Sequence, residues 1–429
     1  MKQLPLALFL SALLLPLTAH SLTLEEGLKL VTESGRDVRI AESDADAARA
    51  SVSLARSPWL PFVDIYGRET WLRYQPEAKT PFGSMPTSQD QFTTYGIRAT
   101  QLLYDFGKTS SNINAARYSL KSREIETGRQ KNVAALDFII CYLDLLESEK
   151  LLKVATEEVT RYEAHRKDAE SRFKAGVVTK NEVLQSEVTL ADSRQRLLTA
   201  DNLRSLRASK INSLLLKPLN EPVLAEEMKT SPAADLTLDE AWSSAEADST
   251  RLREMDMAIS AKEEVVRSAQ AEYLPTFYVS GGYENLENKY QVHQDNWSAI
   301  AGVNINLFSG GASSSKTGLA KAELRSLKLS REKLLDNIRL EIKSAYLDLK
   351  SSAQKIEVAR TAITQAEENL RLQQLRYKEG AGTTTEVLDA VTLLTTTESN
   401  SWKSLYGFKR AEATFLNAAA KDLVGMYGK

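Results

Sequence analysis

The chain has 429 residues, of which 26% are charged and 42% hydrophobic, and its formal net charge is −2. That composition describes a folded protein large enough for more than one module, without the basic footprint of a nucleic-acid binder. A single cysteine excludes an intrachain disulfide, and the three histidines at 20, 165 and 293 form no cluster with metal-ligand or triad spacing, so catalysis, cofactors and metals are not expected.

Residues 1–21 read as an export signal: Lys2, an apolar stretch from Leu4 to Leu17, then Ala19-His20-Ser21 as a small-x-small cleavage site before Leu22. The stretch is about 14 residues, too short to span a bilayer, and no later segment has the uninterrupted apolar run of a membrane helix. If the mature chain enters a membrane, it must do so as a β-barrel.

Beyond the signal, prolines occur only at 58, 61, 76, 81, 86, 218, 222, 232 and 275, which leaves long proline-free tracts. These predict helices at 24–57, 107–175 and 179–215, then at 237–272, 311–379 and 383–420. Between them lie four strand-like runs, at 62–72 and 92–103 and again at 276–286 and 296–307. In the last run Trp297, Ala299, Ala301, Val303, Ile305 and Leu307 share one face while Ser298, Asn304 and Asn306 share the other, the alternation of a strand crossing a membrane at a tilt. Residues 58–108 and 273–308 hold 17 of the 31 aromatics, a concentration that favours an interfacial girdle over loops.

The chain repeats itself. "TLEEGL" at 23–28 meets "TLDEAW" at 237–242, "LYDFGKTSS" at 103–111 meets "LFSGGASSS" at 307–315, and "YLDL" at 142–145 recurs at 346–349. One unit is therefore built twice: residues 22–217 and 237–422, joined by a linker at 218–236 and followed by a tail at 423–429. The 69-residue tract 107–175 would be about 100 Å long as a helix, and each copy has two shorter tracts that together match its long one. On the second long tract, Ile338, Ile342, Ala345, Leu349, Ser352, Ile356, Ala359, Ile363, Ala366 and Leu370 keep a heptad step, which implies supercoiling against a neighbour. The fold class is α+β, mostly α: a tandem-repeat protomer with four membrane strands and long coiled-coil-like helices. Four strands cannot close a membrane barrel, whose smallest examples use about eight, so the chain must oligomerise.

"RFKAGVVTKNEVLQ" at 172–185 and "RYKEGAGTTTEVLD" at 376–389 interrupt the helices at matching places. Gly176 and Gly380 suit the left-handed residue that ends a helix, and Thr179 with Glu182 and Thr383 with Glu386 read as capping boxes that start the next. The chain reverses sharply at both. Capping alone would account for the two glutamates; Asp389, one turn beyond Glu386 on the same face, has no such local role.

With its export signal, its duplicated hairpin and long-helix unit, "LYDFGK" and "LFSGG" at strand-to-helix junctions, and the paired R-F/Y-K-x-G-x-x-T-x-x-E-V-L stretches, the chain resembles the TolC family of outer-membrane efflux proteins across essentially its whole mature length. The resemblance implies a homotrimer, a 12-stranded barrel in the outer membrane continued by an α-helical tunnel across the periplasm. It also implies a passive exit duct for efflux or type I secretion, docked through a periplasmic adaptor onto an inner-membrane transporter of RND, ABC or MFS type. The two turns would then be the periplasmic tip. Arg172, Gly176, Thr179, Arg376, Gly380 and Thr383 would form the adaptor-docking turns, and Glu182, Tyr377, Glu386 and Asp389 the aperture. Gly382 stands where better-known members carry an arginine that helps latch the closed tip. The rival reading is an exported coiled-coil structural or adhesin-like surface protein, which would not need the four strands.

Overall fold

The computed structural model describes residues 21–228 and 236–428. Residues 1–20 of the expected export signal and part of the expected linker lie outside the described residues.

Thr23 opens α1 (Leu24–Ser34) with a capping box: its hydroxyl accepts from the Glu26 amide, and the Glu26 carboxylate accepts from its own. The helix does not run on to residue 57 as the absence of proline suggests. It breaks at Gly35, whose φ of −56° and ψ of 142° are not helical, and α2 (Arg36–Arg56) restarts at once. A Cβ on Gly35 would lie 2.2 Å from the Val31 carbonyl oxygen, so the bend needs glycine. The second copy breaks at the same place, where Ser249 at φ −58° and ψ 114° turns the chain and its hydroxyl accepts from the Leu252 amide. There a serine side chain competes with the helix for a backbone group.

After α2, β1 (Phe62–Trp71) leads into a small hairpin of β2 (Glu77–Thr80) and β3 (Gly83–Pro86), then β4 (Gln91–Tyr104) returns. The inner hairpin falls where the prolines suggest loop; Pro81 lies in its turn and Pro86 at the end of its two-stranded ladder, positions a sheet tolerates. From β4 the chain enters α3 (Lys108–Lys174), 67 residues and about 100 Å long, and comes back along α4 (Lys180–Leu214). The second copy follows with α5 (Leu238–Asp248), α6 (Thr250–Ala271), β5 (Thr276–Glu287), β6 (Asp295–Asn304), α7 (Ala312–Lys378) and α8 (Thr384–Ala418). Residues 305–307, expected to extend the last strand, lie beyond it. A final short helix, α9 (Leu423–Tyr427), occupies the expected tail and buries Leu423 and Tyr427 in the core.

The four longer strands form one antiparallel sheet in the order β1-β4-β5-β6. Their register sets the two faces. Val63, Ile65, Ile97, Ala99, Val279, Tyr283, Trp297, Ala301 and Val303 share one, and Asp64, Arg68, Arg98, Thr100, Ser280, Glu284, Asn296 and Ser298 share the other. The apolar face is bare in a single chain: Ile65 is 84% exposed and Trp297 76%. Among the described residues, β1 and β6 have no partner on their outer edges. Among the described residues, no helix is long and apolar enough to cross a membrane.

The helices pack as two copies of one arrangement, α3 against α4 and α7 against α8, with α3 also against α8 to join the copies. Every heptad residue from Ile338 to Leu370 is buried or half-buried, so the 3.5-residue period marks the seam of α7. The largest core cluster among the described residues gathers Phe138, Ile139, Tyr142 and Leu145 of α3 with Ile211, Tyr406 and Leu416. Tyr142 secures the start of the chain there, its hydroxyl lying 2.9 Å from the Leu22 carbonyl and 2.6 Å from that of Glu226.

Candidate functional site at the paired helix turns

The long helices end together, away from the sheet, in two near-identical reversals. In the first, Gly176 has φ 72°, and the Val177 and Gly176 amides donate to the Arg172 and Phe173 carbonyls at 2.9 Å each. In the second, Gly380 has φ 74°, and the Ala381 and Gly380 amides donate to the Arg376 and Tyr377 carbonyls at 2.9 and 3.2 Å. This is the double-bonded C-cap that a left-handed glycine allows. Capping boxes at Thr179 with Glu182 and Thr383 with Glu386 then start α4 and α8.

Glu386 is held as a cap: Oε2 accepts from the Thr383 amide at 2.8 Å, and Oε1 is 3.6 Å from the Arg376 guanidinium. The Thr383 N–H foremost, and then Arg376, hold its carboxyl below the usual carboxylate range. Arg376 also donates to the Ala381 carbonyl and to Gln373, so it braces its own turn. Asp389 is exposed and makes no hydrogen bond or ion pair among the described residues.

The two turns are tied to each other. Thr384, 1% exposed, donates from Oγ1 to Glu182 Oε2 at 2.9 Å and lies 3.2 Å from the Tyr377 hydroxyl. Tyr377 is only 4% exposed: the aperture residue of the sequence reading is enclosed by its own chain. The Arg172 guanidinium sits 4.9 Å over the Tyr377 ring and also donates to Asp168 and to the Lys378 carbonyl. The His165 ring is 5.1 Å from that of Tyr377, with Nε2 buried and unpartnered; burial pushes the imidazole below its ordinary pKa, against a smaller upward pull from Asp168 and Glu182. Gln185 reaches Thr385 at 3.2 Å. Further along, Arg161 clasps Glu398 through two bonds of 2.9 and 2.7 Å. A Cβ on Gly382 would crowd the Tyr377 amide at 3.1 Å, so the glycine fits a turn closed tightly on itself.

The structure therefore brings Glu182, Tyr377 and Arg172 into one cluster. It leaves Glu386 with Arg376 and Thr383 in a second, and sets Asp389 apart. Sequence reasoning missed Thr384, His165 and the Arg161 clasp. The run of three threonines at 383–385 was the one local signal for the first.

Comparison with known proteins agrees with this architecture. The sequence profile of the outer membrane efflux protein family matches residues 28–215 and 241–420, one match per copy. The chain is similar to Nodulation protein T of Rhizobium leguminosarum bv. trifolii, at 21% identity over 86% of this chain and 80% of that one. It is likewise similar to the outer membrane efflux protein BepC of Brucella suis, at 22% identity over 72% of this chain and 68% of that one. In fold it is similar to the crystal structure of the outer membrane protein VceC from Vibrio cholerae, with a TM-score of 0.79, 15% identity, and coverage of 93% of this chain and 96% of that one.

Proposed function

The chain belongs to the outer membrane efflux protein family, and from that premise we propose that three copies close their sheets into a 12-stranded barrel and their helices into a tunnel, forming the passive exit duct of a tripartite efflux or secretion machine. One observation carries this reading: a four-stranded sheet with two unpaired edges and a bare apolar face, mounted on helices about 100 Å long. In lipid the edges must be paired and the apolar face is at home; association of copies meets both demands. An exported structural coiled coil would have no use for such a sheet.

In this account the paired turns are the periplasmic end. The exposed outer side of the turns, around Gly176 and Gly380, is where a periplasmic adaptor would dock and couple the duct to an inner-membrane transporter. Asp389 is the residue best placed to line the opening, while Glu386 serves first as a cap. The test is crosslinking in cells from a photoreactive residue at Val177, which is 63% exposed, followed by identification of what is captured. Capture of a periplasmic adaptor is expected. Capture of only extracellular or outer-membrane components would place the turns on the wrong side of the membrane and refute the reading.

A further inference from the structure

Two tyrosines on the polar face of the sheet lie across glycines of the neighbouring strand. Tyr278 on β5 pairs with Gly302 on β6, and Tyr66 on β1 pairs with Gly96 on β4. A Cβ on Gly302 would stand 2.4, 2.5 and 2.7 Å from Tyr278 ring and hydroxyl atoms. These are the nearest atoms to that point, so the tyrosine occupies the space a side chain would take. At Gly96 a Cβ would come within 2.9 Å of the Tyr66 hydroxyl and 2.5 Å of the Tyr283 carbonyl oxygen. Tyr66 is also tied down at its far end: it reaches across β4 and donates to Glu284 Oε2 on β5 at 2.6 Å, with the Arg98 guanidinium 5.3 Å over its ring. Both rings thus run along the wall instead of standing off it.

We propose that Gly302 and Gly96 are positioning residues that set the bore of the barrel, by letting Tyr278 and Tyr66 lie flat where any larger residue would push them into the channel. This rests on the reading above that the polar face lines a pore. With three copies, six rings would leave the wall if both glycines were filled, and the barrel end would pass only smaller solutes. The structure thereby assigns a size-selecting role to the strands, remote from the tip.

The test places a cysteine at Asn304, which shares the polar face with Gly302 at the helix end of the sheet; the native Cys141 is buried and stays silent. Intact cells are treated from outside with a small maleimide and with polyethylene-glycol maleimides of graded mass, and trimer content is checked by native gel. In the N304C background, Gly302→Ala is expected to slow labelling by the larger polymers several-fold while sparing the small reagent. Adding Tyr278→Ala should restore it. Glu284→Ala, which releases Tyr66 without touching a glycine, is expected to lower the size limit in the same way, with Tyr66→Ala restoring it; this pair decides the matter if Gly302→Ala fails to assemble. An unchanged size limit in assembled variants, or no restoration on removing the tyrosine, overturns the proposal. Failure of the small maleimide to label N304C at all would overturn the pore reading on which it rests.

Discussion

Replacing Thr384 by valine keeps the shape of a 1%-exposed side chain and removes only the hydroxyl that joins the two turns. The lost bond to Glu182 is a hydrogen bond to a charged group, a class whose removal costs about 1.5–3 kcal/mol. Glu182 is half-buried and water can take part of the threonine's place, which argues for the lower end; the enclosed Tyr377 hydroxyl, left without its neighbour, adds to the cost. A net value of about 2 kcal/mol corresponds to a change of about 30-fold in an opening equilibrium. Hydrogen exchange reads that quantity directly. In Thr384→Val, amides of the second turn from Gly380 to Val387, and of the first from Gly176 to Val183, should lose about 30-fold in protection. Those around Tyr142 in the main core should not change. Unaltered protection at the turns would mean that the Thr384 bridge carries no load. An equal loss across the whole chain would mean that the tip does not open as a unit.

In Gly380→Val the added Cβ has nothing within 4 Å among the described residues, but the change puts a β-branched residue at φ 74° and should cost roughly 1–2 kcal/mol; export should fail while the assembled protein persists in the membrane, and normal export in cells would refute the docking role. Three copies would gather Glu386 and Asp389 into a ring of carboxylates around the opening, so in planar bilayers under a salt gradient the channel should prefer cations, and Asp389→Asn should weaken that preference more than Glu386→Gln, because of the two only Asp389 lacks a partner among the described residues; equal reversal potentials in wild type and both variants would refute the ring. Burial lowers the pKa of His165, so the unfolded chain binds more protons than the folded one as the pH falls below the ordinary imidazole value. Stability should therefore decline over that range, and His165→Gln should flatten the decline in a thermal-unfolding series. Tyr142→Phe should lower stability by about 1 kcal/mol, seen as a reduced Tm, because the start of the chain loses its bond to α3.

The elements that the sequence made legible are those written in short-range pattern. The heptads of α7, the alternation in β6 up to Asn304 and the glycine-threonine-glutamate spacing of the turns each rest on steps of a few residues, and each found its place in the structure. What escaped was of two kinds. Breaks at Gly35 and Ser249 sit in proline-free tracts where a lone glycine or serine does not decide between a bend and a continuous helix; only their recurrence in both copies could have betrayed them. The tip cluster escaped because its members come from different copies of the repeat. Thr384 meets Glu182 across 202 positions and Arg161 meets Glu398 across 237, separations no local period records. Tyr377 shows the limit from the other side: family resemblance pointed at the residue, while its burial against Arg172, His165 and Thr384 depended on how α3 and α7 both pack against α8.

The central claim, that one chain supplies a third of a closed membrane barrel, is tested most directly by native mass spectrometry of the protein extracted from membranes in mild detergent. The account predicts a single dominant species with three times the mass of the mature chain. A stable monomer would contradict it, because the edges of β1 and β6 would then have to persist in lipid without partners.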